Sequence, residues 1–230
     1  DVTDARGCVV SDSVTINENS QIIINISSVP VSCFNGSDGS ATVSSSGGTG
    51  SLIYNWSNGS SITTITNQSF GEYWVKVEDE LGCFTIDTIE ISQPKPLKLQ
   101  LFTTDVKCNG GSDGWAAVDG IGGTEPYSYW WDDDLNQTSD TAVGLKAGTY
   151  KAAVIDFNGC NDTVEIIINQ PDTIAPNDSI INVSCAGLCD GYISLNVSGG
   201  TSPFYFDWGG TDTNNLIAGM YQYTVTDSNG

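Results

Sequence analysis

The chain has 230 residues and sets 28 Asp plus Glu against seven Lys plus Arg, a formal net charge of -21 with no His. That charge makes nucleic acid and anionic membranes poor partners, and no apolar run reaches the roughly 18 residues needed for direct membrane insertion as a helix. Gly (26 residues) with abundant Ser, Thr, Asn and Asp, and no long stretch with apolar residues at i, i+3 and i+4, excludes a helical protein and predicts an all-β chain.

A repeat organises the elements in chain order. Cys8, Cys83 and Cys160 each close an Asp-x-x-Gly-Cys turn, 75 and then 77 residues apart. The same offsets relate Cys33, Cys108 and Cys185; the Asp-Gly pairs at Asp38, Asp113 and Asp190; the Gly-Gly-Thr triplets at Gly47, Gly122 and Gly199; and Trp56, Trp131 and Trp208. A period this long exceeds solenoid repeats and matches small domains that each own a core. Residues 1–17 read as the last strand of a preceding repeat, followed by repeat 1 over 18–93, repeat 2 over 94–172 and repeat 3 over 173–230. Gly230 falls where the next Cys is expected, so repeat 3 is expected to lack its last strand.

Within each repeat the pattern predicts a long first strand ending at the first Cys, an Asp-Gly turn and a second strand to Gly-Gly-Thr. The Trp strand, a variable middle, a Tyr strand and a strand after the second Cys follow, and the spacing suits about seven strands. Leu52, Tyr54 and Trp56 alternate with polar residues, as do Tyr127, Tyr129 and Trp131 and then Phe204, Phe206 and Trp208, so each triplet is expected to face a core anchored by its Trp. The Tyr strands Tyr73-Val75-Val77, Tyr150-Ala152-Val154 and Tyr221-Tyr223-Val225 face the same cores. A Gly-containing turn followed by Tyr resembles the tyrosine corner of immunoglobulin-like sandwiches, in which the phenol satisfies backbone at the strand entry. The expected fold is therefore tandem immunoglobulin-like β-sandwich repeats of about 75 residues. Gln93-Pro94 and Gln170-Pro171 mark linkers stiffened by Pro.

Taken together these motifs resemble the SprB repeat. Its pattern is met by Val106-Lys107-Cys108, Gly122 to Tyr129, Trp131, Leu145 to Tyr150, Asp156 to Cys160 and Gln170-Pro171. Departures are Gly50-Ser51-Leu52 in place of x-Pro-Tyr, Gln68 in place of Leu145 and Leu216, and Cys189, which has no counterpart. The resemblance implies a repeat segment of a very large adhesin of gliding Bacteroidota, exported by the type IX secretion system and carried on the cell surface by the gliding machinery. It also implies extracellular surfaces or polysaccharides as partners. O-glycans of that lineage attach at Asp-Ser/Thr followed by a small or aliphatic residue, which makes Ser13, Thr88, Thr141, Thr163, Thr173 and Ser179 candidates.

Seven Cys at a fixed period, without His or a Cys-x-x-Cys pair, read as disulfides made outside the cytoplasm. The candidates are Cys8, Cys33, Cys83, Cys108, Cys160, Cys185 and Cys189. The default pairing joins the two Cys of one repeat, but an immunoglobulin-like order puts them at opposite poles, roughly 20 Å apart at a strand's rise, against the 4.4 to 6.8 Å or so that a disulfide tolerates. A second possibility staples adjacent repeats, Cys33 with Cys160. A third joins Cys83 with Cys108 across a linker. Cys8 is expected to lack a partner, and Cys185 to close a small loop with Cys189.

The Asp-rich turns at Asp38, Asp113, Asp190, Asp79 and Asp156, and the run Asp132 to Asp134, offer oxygens for a structural calcium, while Asx turns account for the same residues without metal. No other cofactor is indicated. An enzyme is not expected: His is missing, nucleophile-elbow and phosphate-loop motifs are missing, and each acidic motif recurs in the same turn. The remaining contest lies between a stiff spacer and a glycan- or surface-binding module, for which the out-of-phase Trp74, Trp115 and Trp130 are the candidates and Tyr192 a further unpaired aromatic.

Overall fold

The alternation of apolar and polar residues is realised as strands throughout, with no helix. The computed structural model describes all 230 residues, Asp1–Gly230. They form two compact units, Asp1–Lys95 and Pro96–Gly230.

The first unit opens with a two-residue hairpin, β1 (Val2–Thr3) against β2 (Val9–Val10), and residues 1–20 are exposed throughout. Repeat 1 then builds a sandwich of two three-stranded antiparallel sheets. One holds β3 (Ile23–Val29), β4 (Gly39–Ser46) and β6 (Thr64–Gln68) in the order β3-β4-β6. The other holds β5 (Ile53–Trp56), β7 (Gly71–Glu78) and β8 (Phe84–Ile91) in the order β5-β7-β8. Inward positions follow the period of two: Ala41 and Val43 from one sheet meet Trp56, Val75, Val77 and Ile91 from the other, all buried. Each fully buried Val or Ile among them contributes about 1.5–3 kcal/mol by leaving water.

The second unit repeats this plan. Its first sandwich has β9 (Lys98–Thr104), β10 (Gly114–Ile121) and β12 (Thr141–Leu145) in the order β12-β10-β9. It faces β11 (Ser128–Trp131), β13 (Gly148–Ile155) and β14 (Asn161–Ile168) in the order β11-β13-β14. The core between them holds Ala116, Val118, Trp131, Ala152, Ile166 and Ile168. These are tandem immunoglobulin-like β-sandwiches, as the alternation predicts.

Each complete sandwich has six strands where the spacing pointed to about seven. The variable middle yields one strand, β6 or β12, and the first strand stops at Val29 or Thr104, short of the first Cys. From there the chain is held by a separate bond across the sandwich, Val31 N–H to Ser92 O at 3.1 Å and Val106 N–H to Asn169 O at 2.9 Å.

Repeat 3 departs from its siblings. β15 (Ala175–Ile181) pairs with β16 (Tyr192–Ser198), and β17 (Tyr205–Asp207) with β18 (Thr224–Thr226). Nothing pairs on the outer side of β18, and its strand spans three residues where β7 and β13 span eight. The expected core triplet is correspondingly open: Trp208 is half-buried and Phe206 is 44 % exposed. Trp208 leans on Tyr223, with ring centroids 5.1 Å apart. In the other repeats the strand that follows, β8 or β14, supplies Ile91 or Ile168 to the core.

The predicted tyrosine corners are present. Tyr73, Tyr150 and Tyr221 each donate a phenol hydrogen bond to the carbonyl four residues earlier, on Ser69, Lys146 and Ile217, at 3.1, 3.0 and 2.8 Å.

Candidate functional site

The recurring acidic turns are backbone clamps. In the Asp-x-x-Gly-Cys turn of repeat 2, Asp156 Oδ1 accepts from the N–H of Asn158 and Cys160, both at 2.9 Å, and Oδ2 accepts from Thr124 N–H at 2.9 Å. Asp79 does the same with Leu81, Cys83 and Thr49, and Asp227 with Asn229 and Thr201. All three carboxylates are buried, at 4–5 % exposure. One carboxylate thus shapes the turn and ties it to the Gly-Gly-Thr loop of the facing strand, which explains why the two motifs travel together in the sequence.

A second set of clamps sits at the other pole. Asp38, Asp113 and Asp190 accept from the N–H of Ser32, Lys107 and Ser184 at 2.9, 3.1 and 3.0 Å. Hydrogen bonds from the Ser32 side chain and backbone hold the Asp38 carboxyl below the usual carboxylate range, and Ser184 does the same for Asp190. The linker glutamines complete this pole: Gln93 Oε1 accepts from Asn35 N–H and Gln170 Oε1 from Gly110 N–H, both at 2.8 Å.

Within the Asp132 to Asp134 run the three carboxylates do different work. Asp133 is 6 % exposed and accepts from Leu135 and Gln137, and although burial raises its pKa, those hydrogen bonds lower it further, to a net depression. Asp132 binds Lys151 N–H at 2.6 Å. No three His, Cys, Asp or Glu side chains converge to form a cation site.

Cys33 and Cys160 are in disulfide form, while Cys8, Cys83, Cys108, Cys185 and Cys189 carry free thiols. This corrects three expectations. Bridges within a repeat, Cys33 with Cys83 or Cys108 with Cys160, do not form, because the two Cys sit at opposite poles. Cys83 immediately precedes β8, whereas the segment leading to Cys33 is held beside Ser92 at the far end of that eight-residue strand, about 26 Å away at a strand's rise. Cys83 does not pair with Cys108, nor Cys185 with Cys189; the latter turn is closed by backbone, Leu188 N–H to Cys185 O at 3.2 Å.

The out-of-phase tryptophans lie on outer faces, with Trp74, Trp115 and Trp130 at 45, 37 and 45 % exposure. In repeat 2 they do not converge. Trp115 belongs to β10 and Trp130 to β11, strands of the two opposing sheets, so the sandwich core lies between them. Tyr192 is 38 % exposed on β16. Of the O-glycan candidates, Ser13, Thr88, Thr163, Thr173 and Ser179 are exposed and Thr141 is half-buried.

Sequence reasoning missed one feature. Gly39 and Gly114 are kept free of a Cβ by Ile91 and Ile168, whose Cγ2 atoms lie 2.6 and 2.9 Å from where it would sit. The equivalent Gly191 meets no such isoleucine and lines an open cavity of about 460 Å³. The signal was present as the third Asp-Gly pair.

The architecture is that of a tandem of immunoglobulin-like sandwiches whose recurrent polar groups serve the backbone, which defines a structural or adhesion module. The SprB repeat model matches residues 25–61, 101–136 and 177–213: the chain is built of SprB repeats, the repeat segment of a surface adhesin. Among curated proteins none matches. Similar solved structures include a C-terminal 282-residue fragment of intimin in complex with the translocated intimin receptor intimin-binding domain (14 % identity, 68 % of this chain and 67 % of that one, TM-score 0.36). Others are the amphioxus IgVJ-C2 molecule (14 %, 67 % and 99 %, 0.28) and the eight N-terminal Ig domains of Down Syndrome Cell Adhesion Molecule (10 %, 91 % and 42 %, 0.28).

Proposed function

We propose that this chain is a stiff, force-transmitting spacer in an extracellular adhesin filament of bacterial gliding motility. The observation that carries the reading is where the polar chemistry goes. Asp79, Asp156 and Asp227 hold turns, Gln93 and Gln170 tie strand exits to the first-Cys turns, and the invariant Trp residues of repeats 1 and 2 are core anchors. Within the second unit Asn229 Nδ2 of repeat 3 donates to Lys107 O of repeat 2 at 2.8 Å, and inside repeat 2 Asn109 Nδ2 holds the linker at Pro171 O, 3.0 Å away. Such bonds restrain the orientation of consecutive beads.

We read Cys33 and Cys160, the two cysteines in disulfide form, as partners in a staple between successive repeats. The opposite poles of the two Cys within one repeat support this pairing over a bridge inside a bead. Export by the type IX secretion system and traction by the gliding machinery belong to the same reading and rest on the SprB repeat match.

The decisive experiment measures binding of the purified chain to polysaccharides, glass and cell surfaces, with and without calcium, beside the triple variant Trp74→Ala, Trp115→Ala, Trp130→Ala. A spacer shows no saturable binding under any condition. Saturable binding that the triple variant loses would make the repeats themselves the adhesive. Non-reducing peptide mapping of the same preparation checks the staple: Cys33 recovered in a link to any cysteine other than Cys160 removes it.

A further inference from the structure

In both complete repeats the first and last strands run in the same direction, from the pole where the chain enters to the pole where it leaves. At the entry pole of repeat 1, Ile22 and Asp79 both lie within 3.3 Å of where a Cβ on Gly48 would sit, and in repeat 2 Leu97 and Asp156 meet at Gly123 in the same way. β3 and β8 therefore start together, as do β9 and β14. Toward the exit pole the bonds between them climb in step. Ser28 Oγ donates to Glu90 O at 2.9 Å, Val31 N–H to Ser92 O at 3.1 Å and Asn35 N–H to Gln93 Oε1 at 2.8 Å. In repeat 2, Val106 N–H donates to Asn169 O at 2.9 Å, Gly110 N–H to Gln170 Oε1 at 2.8 Å and Asn109 Nδ2 to Pro171 O at 3.0 Å. The two strands of each pair belong to different sheets and share no ladder, so these bonds tie one sheet to the other.

We propose that each pair of parallel first and last strands is a shear clamp, an inference that rests on the force-transmitting reading and deepens it. Tension reaches a bead at the start of its first strand and leaves from the end of its last. Because the strands are parallel and are pulled toward opposite poles, the load slides one along the other and strains all of these ties at once. A pull on two ends at the same pole peels the strands apart bond by bond instead. Forced unfolding is governed by the rate of crossing its barrier, and ties that must break together raise that barrier.

The clamps of the two beads differ at one pair of positions. In repeat 2, Asp105 Oδ1 accepts from Asn169 N–H at 2.8 Å, and Asn169 Nδ2 donates to both carboxylate oxygens at 3.3 Å. Repeat 1 has Pro30 and Ser92 in those places, and Pro brings neither an N–H nor a side-chain acceptor. Repeat 2 therefore carries the stronger clamp, and Asp105 with Asn169 sets the difference.

The test pulls on one bead at a time within the full chain, at constant force. Native cysteines are replaced by Ser so that no disulfide shares the load, and handles are attached at thiols introduced on exposed positions. Asn19→Cys with Lys95→Cys spans repeat 1, and Pro96→Cys with Asp172→Cys spans repeat 2. For the peel, repeat 2 is held at Pro96→Cys and at a retained Cys160, both at the entry pole. At equal force repeat 2 is expected to unfold roughly a hundredfold more slowly between opposite poles than in the peel, since two or more ties must break where the peel breaks one. Asp105→Ala should speed opposite-pole unfolding roughly three- to tenfold and leave the peel unchanged. The reciprocal pair Pro30→Asp, Ser92→Asn should slow repeat 1 by a similar factor, an effect that a general loss of stability does not produce. Equal rates in the two geometries, or an Asp105→Ala that speeds both alike, would overturn the clamp and leave the spacer reading in place. Saturable surface binding would remove the spacer reading without touching these rates.

Discussion

Repeats 2 and 3 share three local motifs, yet one core is sealed and the other open. Asp156 and Asp227 clamp equivalent turns, Tyr150 and Tyr221 make the same corner bond, and Gly114 and Gly191 occupy the same position. Nevertheless Trp131 is fully buried and Trp208 is not. The difference shows that local motifs set the hairpins, while the core is completed by one strand, β14 or its counterpart, that brings two or three β-branched side chains. Turn chemistry and core closure are therefore separable contributions.

The largest effect expected from breaking this comparison is at the anchor tryptophans. Trp131→Ala removes a side chain with no exposure that also donates Nε1–H to Ser139 O at 2.8 Å, and such a deletion costs about 3–5 kcal/mol. Trp208→Ala, at a half-buried site, should cost roughly 1–2 kcal/mol. Because a tandem array has no single unfolding free energy, the measurement is hydrogen exchange read separately at 148–155 and 224–226. Equal losses in the two repeats would contradict the open core of repeat 3.

A middle-sized effect should come from the turn clamp. Asp156→Ala leaves the N–H groups of Asn158, Cys160 and Thr124 without the buried carboxylate that accepts them, at about 1–3 kcal/mol. Asp227→Ala should cost less, since it strands two donors there, those of Asn229 and Thr201. Faster exchange at the Thr124 and Cys160 amides, with the Trp131 environment unchanged in near-ultraviolet dichroism, would separate clamp from core.

Much of this was legible in the sequence because a period of two is hard to disguise. Trp56, Val75 and Val77 alternate with polar residues and are buried, and the Gly-then-Tyr spacing locates the corners. Other features had no local signature. An Asp in a Gly-rich turn reads the same in sequence whatever it binds, and the backbone donors on Asp79 and Asp156 emerge only in the geometry. Cysteine spacing alone suggests a bridge within a repeat, whereas the immunoglobulin-like strand order puts the two Cys at opposite poles, and that bridge does not form. The strand count was too high because the first strand, which looked continuous to Cys33, ends at Val29 where its partner edge passes to Ser92.

The smallest effect is the acid limb of stability at the first-Cys turns, where it falls on repeats 1 and 3. Asp38 and Asp190 gain acceptor bonds from Ser32 and Ser184 on folding, which depresses their folded pKa below 3.8. A carboxylate with a depressed folded pKa contributes stability that is fully present above its unfolded value, near 3.9. That contribution is lost as pH falls through the lower, folded value. Stability should therefore be flat from pH 7 to about 5 on account of these groups and decline only below about 4. Both side chains are solvent-accessible, so screening keeps the effect small. Asp38→Asn and Asp190→Asn should each flatten the decline while preserving an oxygen acceptor for the turn. Repeat 2 supplies the internal control: Lys107 stands where the others have Ser32 and Ser184, and it gives Asp113 a backbone donor without a hydroxyl. Acid titrations followed by amide exchange at each first-Cys turn read the two Asn variants separately, and an acid limb unchanged in both would place its origin in other carboxylates.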